Sequence, residues 1–337
     1  MLAWMRGFLS RHRRKLIVGA VLVGSAVLAS RYAQKKLRQW QERETKEFLE
    51  RARRQQHFES TERTCNQTAL SLAPTVREAV SRALDTEALV ARLREAPAPV
   101  DKLPLWERLK VLAFARAAAQ VYAGALLVVA LRVQLSLIGG YMYRDPRTSG
   151  DLQQNYLSLC QHLVREGARE LCVLLEEKVR LVVGDTPLAR RLDLRDAEQL
   201  FWAVQAAVAG DSRDPARSAA HYVLPPGLPG DCASLRALAA DTADLLDSDE
   251  VAELATSCVS RGFAQLVDRI AEFYTDGAQP RNGLAHPHDA SVPMAKLVPI
   301  VNGLGQQNPD PWLQQLLLDE KLKLLGANVY EAFSHAL

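Results

Sequence analysis

The sequence is poor in the residues and patterns that staple, ligate or catalyse. Its five cysteines, Cys65, Cys160, Cys172, Cys232 and Cys258, are odd in number among 337 residues, widely scattered and without a CxxC pair. A disulfide-framed secreted scaffold and a zinc module are both disfavoured, and a reducing compartment fits better. No GxSxG, HExxH, Walker loop or dinucleotide fingerprint is present, which points away from an enzyme, a small-molecule substrate and a cofactor. Gly303-Leu304-Gly305 lacks a third glycine and a preceding strand, so it reads as a loop. His286-Pro287-His288 has no third ligand nearby, and a metal site needs three or four. No stretch with β-branched enrichment alternates apolar and polar residues long enough for a sheet, and no repeat of 30–50 residues argues for a solenoid.

Charge is present but unevenly spread. The net charge of +3 divides into a head and a body of opposite sign. Residues 1–63 carry 15 Lys/Arg against 6 Asp/Glu, a net of +9, and the remainder carries a net of −6. A basic head implies an anionic surface near that head. No aromatic residues interleave the basic run in a binding motif, so a membrane surface is favoured over nucleic acid.

Long uncharged runs number two. The first, residues 16–30, covers roughly 22 Å as a helix, short of the roughly 30 Å hydrocarbon core. Snorkelling by Lys15 and Arg31 extends it, with Tyr32 at an interface. Three readings stand: a membrane anchor over 16–34, a cleaved signal peptide ending near Val27-Leu28-Ala29, and a buried core helix. Charge on both flanks and the scattered cysteines favour the anchor. Arg11, Arg13, Arg14 and Lys15 ahead of it read as a targeting element, and residues 35–337 as a separate domain. The second run, residues 117–131, sits between Arg116 and Arg132 and reads as the central helix of a bundle rather than a second span.

Helices fit most of the rest. Residues 31–57 read as a solvated helix with a narrow packing stripe of Leu37, Trp40, Phe48, Leu49 and Ala52. A helix over 75–95 follows Pro74, and another runs from Pro104 to Ile138 and stops at Gly139-Gly140. Further helices fit 151–183, 193–209, 231–246, 249–274, 293–303 and 311–334, the last capped by Asp310-Pro311. The expected fold is all-α, a single elongated bundle of long helices with a long central apolar helix, preceded by an N-terminal transmembrane anchor.

Within this chain an interaction surface is the functional feature to look for. Trp106 follows a proline-rich turn at the start of a helix. It either staples the helix start into the core or lies part-exposed as the floor of a groove for an amphipathic helix.

Several long stretches resemble the peroxin-3 family of peroxisome biogenesis factors. They are the basic-apolar head through Gln34-Lys35-Lys36, ARRQQHFESTERTCN at 52–66, LLVVALRVQLSLIGGYMY at 126–143, SRGFAQLVDRIAEFY at 260–274, PMAKLVPIVNG at 293–303 and ANVYEAF at 327–333. The resemblance implies a peroxisomal membrane protein with one N-terminal anchor and a helical domain in the cytosol. It implies docking of peroxin-19, the import receptor and chaperone for peroxisomal membrane proteins, whose amphipathic N-terminal helix enters an apolar groove. By the same resemblance Trp106, within Leu105-Trp106-Glu107-Arg108-Leu109-Lys110, is the groove tryptophan. Leu93 is a groove leucine, and Lys102 and Lys296 are its edge lysines. The alternative is a helical scaffold tethered to an organelle with a different helical partner.

Overall fold

The computed structural model describes the backbone of residues 2–95, 99–227, 232–276, 291–304 and 311–335. It also describes the side chains within these ranges, except those of residues 2–29, 33, 99–101, 275 and 276. By internal contacts the chain divides into two units, residues 1–57 and 58–337.

The first unit lies within α1 (Leu2–Ala83). Residues 34–53 are exposed throughout, including Leu37, Trp40, Phe48, Leu49 and Ala52. This stretch is the solvated helix expected, but the residues of the apolar stripe are exposed: Trp40 is 57% exposed and Phe48 67%.

The second unit is built around α3 (Pro99–Arg144). This segment is rich in Ala and Leu, which favour helix, and between the turns at its two ends it has no polar face. Its stretch from Lys102 to Arg144 has the length and apolarity of a membrane span, but 94% of its most apolar window is buried inside the bundle. It is the central helix that the sequence led one to expect. Packed on it are α2 (Thr86–Glu95), α4 (Gly150–Ser158), α5 (Ala168–Val183), α7 (Ala219–Val223) and α8 (Ala233–Leu246). Also packed on it are α9 (Asp249–Asp276), α10 (Met294–Leu304), α11 (Pro311–Leu317) and α12 (Glu320–Ser334). α6 (Leu194–Ala209) packs on α5 and α9. It opens with a capping box in which the Asp193 carboxylate accepts from the Asp196 N–H at 2.7 Å and Asp196 accepts from the Asp193 N–H at 3.1 Å.

Several expected boundaries move. Pro74 does not start a helix; α1 runs through it to Ala83, and the break falls at Asp85, whose carboxylate accepts from the Ala88 N–H at 2.9 Å. Gly139-Gly140 does not stop α3, because these glycines serve packing instead. A Cβ at Gly139 would stand 2.8 Å from Thr61 of α1, and one at Gly140 would stand 2.6 Å from the Tyr330 carbonyl of α12. The 151–183 helix is interrupted by a π-helical turn at Leu163–Gly167. The 311–334 helix is split by Asp319, which caps α12 by accepting from the Lys321 and Leu322 N–H groups. A two-residue antiparallel pairing of β1 (Arg191–Leu192) with β2 (Val292–Pro293) is the single sheet among the described residues. His286, His288, Gly305 and Asp310 lie outside the described residues.

Candidate functional site

The expected docking residues come from three helices, and the sequence spaces each for one face. In α2 the buried positions are Thr86, Leu89 and Leu93, a stripe one helical turn apart per step. Leu93 therefore sits on the packed face, 9% exposed. At the start of α3, Lys102, Leu105 and Trp106 are half-buried, with Leu105 and Trp106 packed against the core. Lys296, in the first turn of α10, is exposed.

Two buried cations on α3 hold these three helices in register. Arg116 is 1% exposed. Its Nη1 donates to Glu87 Oε1 of α2 at 2.7 Å, and its Nη2 donates to Asn302 Oδ1 and the Asn302 carbonyl of α10 at 2.7 and 3.0 Å. Lys110, fully buried, donates to the carbonyls of Gly184 and Thr186 at 2.9 and 2.6 Å and pairs with Glu107 at 2.6 Å. Those carbonyls follow α5, where the negative end of the helix dipole favours an ammonium. The segment just beyond them receives α10: the Ala295 N–H donates to Leu188 and the Met294 N–H to Arg190, both at 2.9 Å.

The register brings the expected residues to one end of the bundle. α2 and α3 form a hairpin, so moving on from Glu87 to Leu93 and back from Arg116 to Trp106 leads the same way. Along α10, Asn302 lies level with Arg116, and its first turn lies by the segment that follows Lys110's acceptors. At 1.5 Å per residue, Leu93 and Lys296 stand roughly 9 Å and Trp106 roughly 15 Å along their helices from the Arg116 node.

Leu103 belongs with this group although the sequence reading passed over it. It is 58% exposed and lies three residues before Trp106, hence on the same side of α3. The helical period was the available signal. Arg116 was legible only as a bracket to an uncharged run; its partners are 29 and 186 residues away in the chain.

Burial pushes the thiols of Cys65 and Cys258 up to about 11 and that of Cys172 to about 12, so they are protonated and unreactive. An open cleft of about 750 Å3 lies elsewhere, between the π-helical turn, α7 and α8, with His162, Glu170, His221 and Arg236 on its wall. Arg11, Arg13, Arg14 and Lys15 belong to α1, and their side chains lie outside those described. Asn66, in the sequon Asn66-Gln67-Thr68, lies inside α1 and accepts from Arg132 Nη2 at 3.0 Å.

The molecule is thus an all-α protein, and towards one end of its bundle Leu105 and Trp106 are half-buried while Leu103 and Lys296 are exposed. The Peroxin-3 family model matches residues 7–100 and 143–332, and the chain belongs to this family of peroxisome biogenesis factors. It is 39% identical to Peroxisomal biogenesis factor 3 of Rattus norvegicus over 368 residues, covering 99% of this chain and 98% of the relative. To Peroxisomal biogenesis factor 3 of Homo sapiens it is 38% identical over 369 residues, with the same coverage. The relative of that name from Yarrowia lipolytica is 22% identical over 433 residues, covering 98% of this chain and all of the relative. Leu93 and Lys296 fall inside the stretches matched by the family model, whereas Lys102, Leu105 and Trp106 fall between them.

Proposed function

We propose that this chain is a membrane-anchored docking receptor that takes the amphipathic N-terminal helix of peroxin-19 and so delivers peroxisomal membrane proteins to the bilayer. Residues 16–34 anchor it in the peroxisomal membrane, and the helical domain faces the cytosol. The observation that carries the reading is the convergence of Leu93, Leu105, Trp106 and Lys296 on one end of the bundle, with Trp106 half-buried rather than sealed in. Family membership supplies the setting.

The physics suits a helix-in-groove contact. Apolar area removed from water stabilises by roughly 25 cal/mol per Å2, so one aromatic and a few aliphatic anchors support submicromolar binding after ordering costs. Lys102 and Lys296 steer an acidic peptide and act more on the rate of encounter than on the depth of binding. The test is calorimetric titration of the full chain in detergent with a peptide of the peroxin-19 N-terminal segment. Binding by the wild type that falls roughly thirtyfold or more in a folded Trp106→Ala variant is the expected result, as for hot-spot truncations. Unchanged affinity in that variant rejects the groove; no binding by the wild type rejects the receptor.

A further inference from the structure

We infer that Arg116 is a positioning residue for the docking end: its buried guanidinium ties α2 to α10 across α3 and so sets the spacing between Leu93, Trp106 and Lys296. The inference rests on the docking reading above and specifies what holds that site in shape.

A guanidinium at 1% exposure is costly to bury unless several hydrogen bonds satisfy it. Here two of its nitrogens reach different helices. Nη1 bonds Glu87, whose side chain is itself 56% exposed, and Nη2 bonds both oxygens of Asn302. Nε has no hydrogen-bond partner. All of the node's bonds therefore go outward to the two helices that flank α3, and none goes along α3 itself. A planar, forked cation fixes direction as well as distance, which a lysine or an apolar side chain does not. Lys110 completes the frame six residues earlier, by holding the segment that receives the first turn of α10. A docked helix that touches all three helices meets a surface whose separations these two cations have set in advance, which lowers the ordering cost of binding.

The test separates positioning from mere stability. Glu87→Gln removes the charge on the α2 side of the node while keeping the side chain's shape, and the half-exposed site tolerates it. Adding Asn302→Asp returns a carboxylate to Arg116, but from α10. Each variant of the full chain is melted in detergent and titrated with the peroxin-19 N-terminal peptide, with on- and off-rates measured by surface binding. Glu87→Gln should raise the off-rate about fivefold with the on-rate unchanged, the lower range of couplings between linked sites. The Glu87→Gln/Asn302→Asp double variant should regain the wild-type melting temperature yet keep the fast off-rate, because α2 is then tied only by a neutral hydrogen bond. Off-rates equal to wild type in both variants, or off-rates that simply follow the melting temperatures, overturn the inference while leaving a Trp106-dependent docking site intact. A wild type that does not bind the peptide overturns both.

Discussion

At the residue scale, α3 is unusual in carrying three cations at 1% exposure or less, and each is placed by groups from distant parts of the chain. Lys110 has acceptors for all three of its N–H bonds: two backbone carbonyls and the Glu107 carboxylate. Removing the ammonium leaves the Gly184 and Thr186 carbonyls without their donor in a buried setting. Lys110→Met should cost about 2 kcal/mol or more, measured by chemical denaturation. Arg132 is less well served. Nη2 reaches Asn66 and the Leu317 carbonyl, but Nε has no hydrogen bond and Nη1 stands 3.6 Å from Glu62. Near the proposed docking end, the exposure of Leu103 leads to a separate expectation. Leu103→Ala should leave stability within about 0.5 kcal/mol, as exposed substitutions do, while weakening peptide binding measurably. An unchanged dissociation constant would remove Leu103 from the contact surface.

At the scale of elements, two junctions carry the packing of the C-terminal helices. Trp312 of α11 lies where α3 and α9 present glycines. A Cβ at Gly124 would stand 2.6 Å from its ring, and one at Gly262 would stand 2.8 Å from the ring and 2.5 Å from Val121. The indole thus occupies space that any larger residue on either helix would claim. Gly262→Ala should destabilise by roughly 1–3 kcal/mol through overpacking, read from the thermal midpoint. The second junction is Asp319, the cap of α12. Partial burial opposes its ionisation, but the Arg261 guanidinium and the Leu322 and Lys321 N–H groups outweigh that and hold its carboxyl below the usual range. A depressed carboxylate stabilises above its unfolded value of about 3.9 and loses that contribution as the pH falls through the folded value. Asp319→Ala should therefore cost about 1 kcal/mol at pH 7, and the gap from wild type should close as the pH is lowered below about 4. A gap that stays constant from pH 7 to pH 3 would show that the charge of Asp319 contributes nothing.

For the whole molecule, the charge division has a functional expectation attached. The basic excess is confined to the head, and the body is mildly acidic. Replacing Arg11, Arg13, Arg14 and Lys15 together with neutral residues should divert the protein from peroxisomes without changing the melting of its helical core. Imaging of a tagged variant checks the first outcome and circular dichroism the second. Peroxisomal localisation that survives all four replacements would remove the targeting role from this segment. The long apolar helix shows the other side of the same balance. Length and hydropathy cannot separate a span from a bundle's central helix; burial by neighbouring helices decides, and for α3 it decides for the bundle.

By itself the sequence determined that the chain is helical, where most helices lie and which helix is central, because local propensity and apolar runs are properties of neighbouring residues. Long matched stretches also made the family legible. The helix ends expected at 183 and 209, each just before a glycine, are where α5 and α6 end. Tertiary structure alone decided the rest. Pro74 looks like a helix start and Gly139-Gly140 like a stop, but α1 runs through its proline, and at the glycines packing against α1 and α12 lets α3 run on. The stripe from Leu37 to Ala52 looks like a packing face, but nothing in its unit covers it. Arg116 looks like a bracket beside an apolar run, yet it is the node that draws α2 and α10 together. Its partners are set by the long-range fold, and no local pattern encodes a hydrogen bond between residues 116 and 302.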